Sequence, residues 1–134
     1  MRAAVETGEG VAVVDLEDEE IVEFEDGATL DERTVTVELP LVVAADASGA
    51  LVVAVVSRRP PLVVSRDAGS TWRESGHGLP PGRDVAISPD HPDVILFAAK
   101  TRLYLSRDGG RFWNPLAALE LDGIRRITWV GEEI

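Results

Sequence analysis

The sequence predicts an all-β chain built of three four-stranded antiparallel repeats of 41 residues, followed by one extra C-terminal strand. Three observations predict it. Ser65-Arg66-Asp67-Ala68-Gly69-Ser70-Thr71-Trp72 returns 41 residues later as Ser106-Arg107-Asp108-Gly109-Gly110-Arg111-Phe112-Trp113. Short runs rich in β-branched residues alternate with turns rich in Gly, Pro and Asp, which is the pattern of strands. No useful window carries apolar residues at helical spacing between helix caps, and only Pro115-Leu116-Ala117-Ala118-Leu119 suits a helical turn.

The elements follow from that period. Residues 3–6, 41–45, 85–88 and 126–130 are expected as innermost strands, and 10–15, 51–56 and 94–99 as second strands. Ile21-Val22-Glu23, Leu62-Val63-Val64 and Leu103-Tyr104-Leu105 are expected as third strands, with 34–39, 71–74 and 112–114 outermost. Ala47-Ser48-Gly49 and Pro89-Asp90-His91-Pro92-Asp93 mark turns after the first strands, and Arg58-Arg59-Pro60-Pro61 a turn after the second. One more step back lands on Phe24-Glu25-Asp26-Gly27-Ala28-Thr29-Leu30, a degenerate third copy with Asp31 in place of Trp. The whole is expected as one domain, 1–134, with repeats at 1–41, 42–82 and 83–123 and the extra innermost strand in 124–134.

The two full copies suit tight turns between strands. A short Asp side chain accepts hydrogen bonds from the N–H groups just after it, and Ser does so more weakly. Asp67 and Asp108 are therefore expected as turn-closing residues, with Ser65 and Ser106 beside them. Gly69 and Gly110 supply a position where φ is positive at no steric cost. Trp72 and Trp113 open the outgoing strand and bring apolar area to the core.

The pattern S-R-D-x-G-x-[TF]-W resembles the Asp-box, or BNR repeat, of sialidases and related β-propellers. The stretch Ile87-Ser88-Pro89-Asp90-His91-Pro92-Asp93-Val94-Ile95-Leu96-Phe97 also resembles that family's segment between the first two strands of a blade. The resemblance covers residues 41–123 well and 10–40 poorly. It implies that each repeat is a propeller blade, and that Asp67 and Asp108 lie on the outer rim as structural residues. Three blades fall short of the four to eight at which propellers typically close. Two chains would make a six-bladed ring, with residues 124–134 of each completing the first blade of the other. The alternative is a three-sheet monomer that is no true propeller.

Composition narrows the function. The net charge is −11, and residues 1–40 alone hold 13 Asp or Glu against 2 Arg. An acidic chain does not bind nucleic acid or an anionic membrane non-specifically. There is no cysteine, hence no disulfide and no thiolate metal site. The N-terminal residues show no signal peptide, so a cytoplasmic location is expected. His77 and His91 lie in turn-rich stretches without metal-ligand spacing. Asp15-Leu16-Glu17-Asp18-Glu19-Glu20 lacks the alternating ligands and glycine of a calcium loop. No phosphate- or dinucleotide-binding motif is present, so no cofactor and no metal are expected.

Catalysis finds little support. The resemblance to sialidases would require an arginine triad, a tyrosine nucleophile with a glutamate partner, and an aspartate acid/base. The chain has no Arg-Ile-Pro motif near its start, and its single tyrosine, Tyr104, sits between Leu103 and Leu105 in a packing position. No pair of carboxylates is marked by a motif as a glycosidase pair. No catalytic residue is assigned. A binding face is expected instead where the turns after the second strands meet those after the outer strands: Arg58, Arg59, His77, Arg83, Lys100, Arg102, Arg125 and Arg126, with Glu17-Asp18-Glu19-Glu20 facing the same way. The expected function is a non-enzymatic interaction or assembly module for a protein or anionic ligand, working as a homodimer. The runner-up is a sialidase-like glycan-acting or glycan-binding protein.

Overall fold

Runs such as Leu51–Val56 and Ile95–Ala99 are too short for a helix and apolar at every position, so they fold as strands buried on both faces. The computed structural model, which describes residues 1–33 and 35–131, places twelve strands in three four-stranded antiparallel sheets, and no helix occurs among the described residues. Sheet I takes β1 (Arg2–Glu6), β2 (Gly10–Asp15) and β3 (Glu20–Asp26). Sheet II is β4 (Val42–Ser48), β5 (Leu51–Val56), β6 (Leu62–Ser65) and β7 (Arg73–Ser75), in that order. Sheet III is β8 (Gly82–Ile87), β9 (Ile95–Ala99), β10 (Leu103–Ser106) and β11 (Asn114–Pro115), also sequential. The last strand, β12 (Arg126–Val130), completes sheet I in the order β12-β1-β2-β3.

Sheets II and III follow the 41-residue register, with strand ends shifted by at most three residues. Sheet I does not. Residues 3–6 form the second strand of their sheet rather than the innermost, because β12 pairs with β1 from Arg2↔Val130 to Glu6↔Arg126. Every later element of the first repeat moves outward by one place: β2 is third and β3 is outermost. Phe24, Glu25 and Asp26 therefore lie in a strand, not in a degenerate turn. Residues 35–39, expected as an outer strand, form none, and Thr34 lies outside the described residues. The extra strand completes the first sheet of its own chain. The last three residues of the expected 124–134 segment lie outside the described residues. In place of the helical turn at 115–119, Pro115 ends β11 and Leu119 N–H bonds Leu116 C=O at 3.1 Å, a single turn.

Sheet III is the middle layer. Leu96, Ala98, Leu103 and Leu105 pack against Ala3, Val5, Ala12 and Val14 of sheet I. The alternate residues Ile95, Phe97 and Ala99 pack against Val53, Val55, Leu62 and Val64 of sheet II. The other face of sheet II, with Ala45, Ala54, Val56 and Val63, is covered by Val35, Val37 and Leu39 of the long β3–β4 connection and by Trp72. Period-two alternation thus makes one strand serve two cores. Gly82 is small for a packing reason: a Cβ there would stand 2.3 Å from Cε2 of Phe97 and 2.7 Å from Cγ1 of Val55.

A single side chain ties the inner strands together. Arg33, on the β3–β4 connection, donates from NH1 to Asp84 Oδ1 and to the carbonyl of Val85, both at 2.8 Å, and from NH2 to the carbonyl of Ile127 at 2.8 Å. Its Nε lies 3.5 Å from Asp46 Oδ1. β4, β8 and β12 are joined at that point. Asp84 Oδ2 also accepts from Ile127 N–H at 2.8 Å, and Asp46 Oδ2 from Ile87 N–H at 2.7 Å. Burial pushes the Asp84 carboxyl above its ordinary range, against the pull of the Arg33 charge.

Candidate binding groove

The two Ser-Arg-Asp turns form as their residues dictate. In the first, Ser65 Oγ donates to Asp67 Oδ1 and accepts from Gly69 N–H, both at 2.8 Å. Asp67 accepts the hydroxyl of Thr71 at 2.5 Å and its N–H at 2.8 Å. These bonds, the Thr71 hydroxyl first, hold the Asp67 carboxyl down at about 2. The second turn repeats the design. Ser106 Oγ donates to Asp108 Oδ1 at 2.8 Å, and Gly110 N–H bonds Ser106 Oγ at 2.9 Å. Phe112 N–H bonds Asp108 at 2.9 Å and is the main cause of its lowered pKa. The glycines behave as expected, with φ of 93° at Gly69 and 91° at Gly110.

The turns also hold each other. Arg66 NH2 donates to the carbonyl of Gly109 at 2.9 Å. Ser75, on β7, donates to the carbonyl of Gly110 and accepts from Trp113 Nε1 at 3.1 Å. Sheets II and III are thereby clamped at their outer strands, and a groove of about 880 Å³ runs along the seam. Val64, Leu79, Phe112 and Trp113 give it an apolar wall, Arg66, Arg73 and Arg111 its cations, and His77 an imidazole. Phe112 is 75% exposed, an unusual place for a large apolar ring. Asp67 and Glu74 are the carboxylates of the lining. Both oxygens of Asp67 are engaged in the turn, and three arginines outnumber the two carboxylates of the lining. On a chain of net charge −11 this seam is locally cationic.

The residues expected as a binding face fall in three groups. Only His77 lines the groove. Arg58, Arg59, Arg83, Lys100 and Arg125 are exposed and Arg102 half-buried, all in or beside turns at the opposite end of the sheets from the Ser-Arg-Asp turns. Arg126 is committed elsewhere: its NH2 meets Glu32 at 2.8 Å and its NH1 lies 3.5 Å from buried Glu6. The acidic run at Glu17-Asp18-Glu19-Glu20 does not join them. It belongs to the β2–β3 turn, at the far end of sheet I from Arg126, because β2 is the third strand and not the second. Asp15 caps that turn by accepting the N–H groups of Glu17 and Asp18, and the bond from Asp18 is the main reason its pKa is lowered.

Arg66, Arg73 and Arg111 went unmarked in the sequence because two of them sit inside the repeated turns and the third just after. At the 41-residue step they correspond to Arg107, Asn114 and Ser70, so the repeat itself does not mark them as a set. Among the described residues no group of three or more His, Asp or Glu is placed to hold a metal ion, and no helix is long and apolar enough to cross a membrane. No protein-family model matches the chain, and no curated protein matches it.

Proposed function

We propose that the chain is a non-enzymatic binding module of the Asp-box, propeller-like type, and that the seam between its two Ser-Arg-Asp turns takes an anionic ligand with an apolar or ring-shaped part. The observation that carries this is the pairing of Arg66, Arg73 and Arg111 with the rings of Phe112 and Trp113 in one groove. Planar guanidinium groups bind carboxylate, sulfate and phosphate oxygens bidentately and stack on rings. The Asp-box reading is supported by the hydrogen bonds of both turns, and the propeller-like reading by the last strand completing the first sheet.

The test is calorimetric titration with anilinonaphthalene sulfonate, an aromatic anion. One site per chain is expected. Arg73→Glu with Arg111→Glu should weaken it at least roughly tenfold, the loss of about 1.4 kcal/mol that two charge-assisted contacts readily supply. Arg58→Glu with Arg59→Glu should leave it unchanged. Binding that ignores Arg73 and Arg111 but follows Arg58 and Arg59 moves the site to the opposite end. Hydrolysis of any fluorogenic glycoside by the purified protein overturns the non-enzymatic reading.

A further inference from the structure

We propose that the free edge of β3 is a docking strand for a partner protein, and that it takes an extended segment in which lysine or arginine alternates with apolar residues. The three outer strands are unequal: β7 has three residues and β11 two, while β3 has seven. Among the described residues, the backbone of residues 20–24 makes no hydrogen bond outside sheet I. A long row of unpaired donors and acceptors is a template for another strand.

The side chains specify which strand. A bulge at Val13/Val14 sets Ile21 opposite Val14 and Phe24 opposite Ala12, so both lie on one face, and each is 50% exposed. Glu20, Glu23 and Glu25 lie opposite Asp15, Val13 and Val11, on the other face. None of the three glutamates has an ion pair among the described residues. The edge therefore offers apolar contact on one side and uncompensated negative charge on the other. A second copy of β3 fits badly, since pairing would set glutamate against glutamate. A basic, alternating strand satisfies both faces and the backbone row together.

The experiment uses the full chain and a capped seven-residue peptide of alternating lysine and valine, with binding followed by fluorescence anisotropy. Saturable binding is expected. Glu23→Lys with Glu25→Lys should weaken it at least tenfold, while Glu38→Lys with Glu120→Lys, an equal charge change at exposed positions off the edge, should change it less than twofold. The same peptide N-methylated at alternate residues, which cannot donate along one edge, should also lose at least tenfold. Equal losses with both pairs of lysine variants, or full affinity of the methylated peptide, would reduce the effect to general attraction by an acidic surface and overturn the docking strand. All four surface residues are exposed, so the variants are expected to keep the parent melting curve, and circular dichroism checks that first. Should a lysine variant melt early, the methylated peptide decides on the unmodified protein alone.

Discussion

Replacing Arg33 by methionine keeps the stem and removes the head that joins the three inner strands. Three hydrogen bonds at 2.8 Å and the contact with Asp46 go with it. The larger effect falls on Asp84, which is 5% exposed and is left as a buried carboxylate without its counter-ion. Breaking a buried pair from one side costs about 3–5 kcal/mol. Asp84 keeps the N–H groups of Val85 and Ile127, so the lower figure, about 3 kcal/mol, is expected. For a chain of this size that lowers Tm by roughly 10 °C. Urea melts followed by circular dichroism measure it. The pH dependence gives a second handle. The folded pKa of Asp84 is raised above the ordinary 3.8, so the native state binds that proton more tightly than the unfolded state. Stability from this group is lost as pH climbs from 3.8 through the folded pKa, and the ionised carboxylate is a fixed cost above it. Removing Arg33 raises that pKa further. The difference between the parent and Arg33→Met is therefore full at neutral pH and shrinks in acid. Adding Asp84→Asn to Arg33→Met should restore part of the loss. A cost below about 1 kcal/mol that does not vary with pH, the behaviour of an exposed ion pair, would refute the hub.

Asp67→Ala should lower Tm at neutral pH, because it removes the acceptor that closes the first turn. The folded pKa of Asp67 is depressed to about 2, so its contribution is present above the ordinary 3.8 and fades as pH falls toward 2, and the parent and variant melting curves should converge in that window. An Asp67→Ala protein with the parent Tm but altered ligand binding would make the residue functional instead. Truncation after Gly123 removes β12 and with it Ile127, the N–H that binds Asp84 and one of the carbonyls held by Arg33. Loss of one buried isoleucine side chain alone costs about 2–5 kcal/mol, against a total stability of about 5–15 kcal/mol. Cooperative thermal unfolding should vanish, and a sharp transition at the full-length Tm would show that β12 is dispensable.

The parts legible in the sequence were those fixed by near neighbours. The Ser-Arg-Asp turns depend on hydrogen bonds spanning at most four residues, and the hairpins of sheets II and III follow from the strands on either side of each turn. Sheet I depends instead on a contact between Glu6 and Arg126, which no local period encodes. Stepping back by 41 residues matched Asp26 to Asp67 and so favoured a turn where a strand lies. Arg33 carried a weak signal as one of only two basic residues in the first 40. Its role was illegible because its partners come from three different sheets. The groove was hidden for the same reason: Arg66 and Arg111 each read as part of one turn, and only the packing of two sheets makes them one surface.

The place of β12 beside β1 also sets an order in time. Sheets II and III are assembled from sequence-adjacent hairpins, and such local pairings form early. Sheet I is finished only when the last strand arrives, more than 100 residues after β1. A chain made from its N-terminus therefore carries its most acidic stretch and the free edge of β1 until residues 126–130 have been made. The net charge of −11 in residues 1–40 keeps such waiting chains apart by repulsion. That charge is a property of the folded surface, and it also protects the unfinished chain.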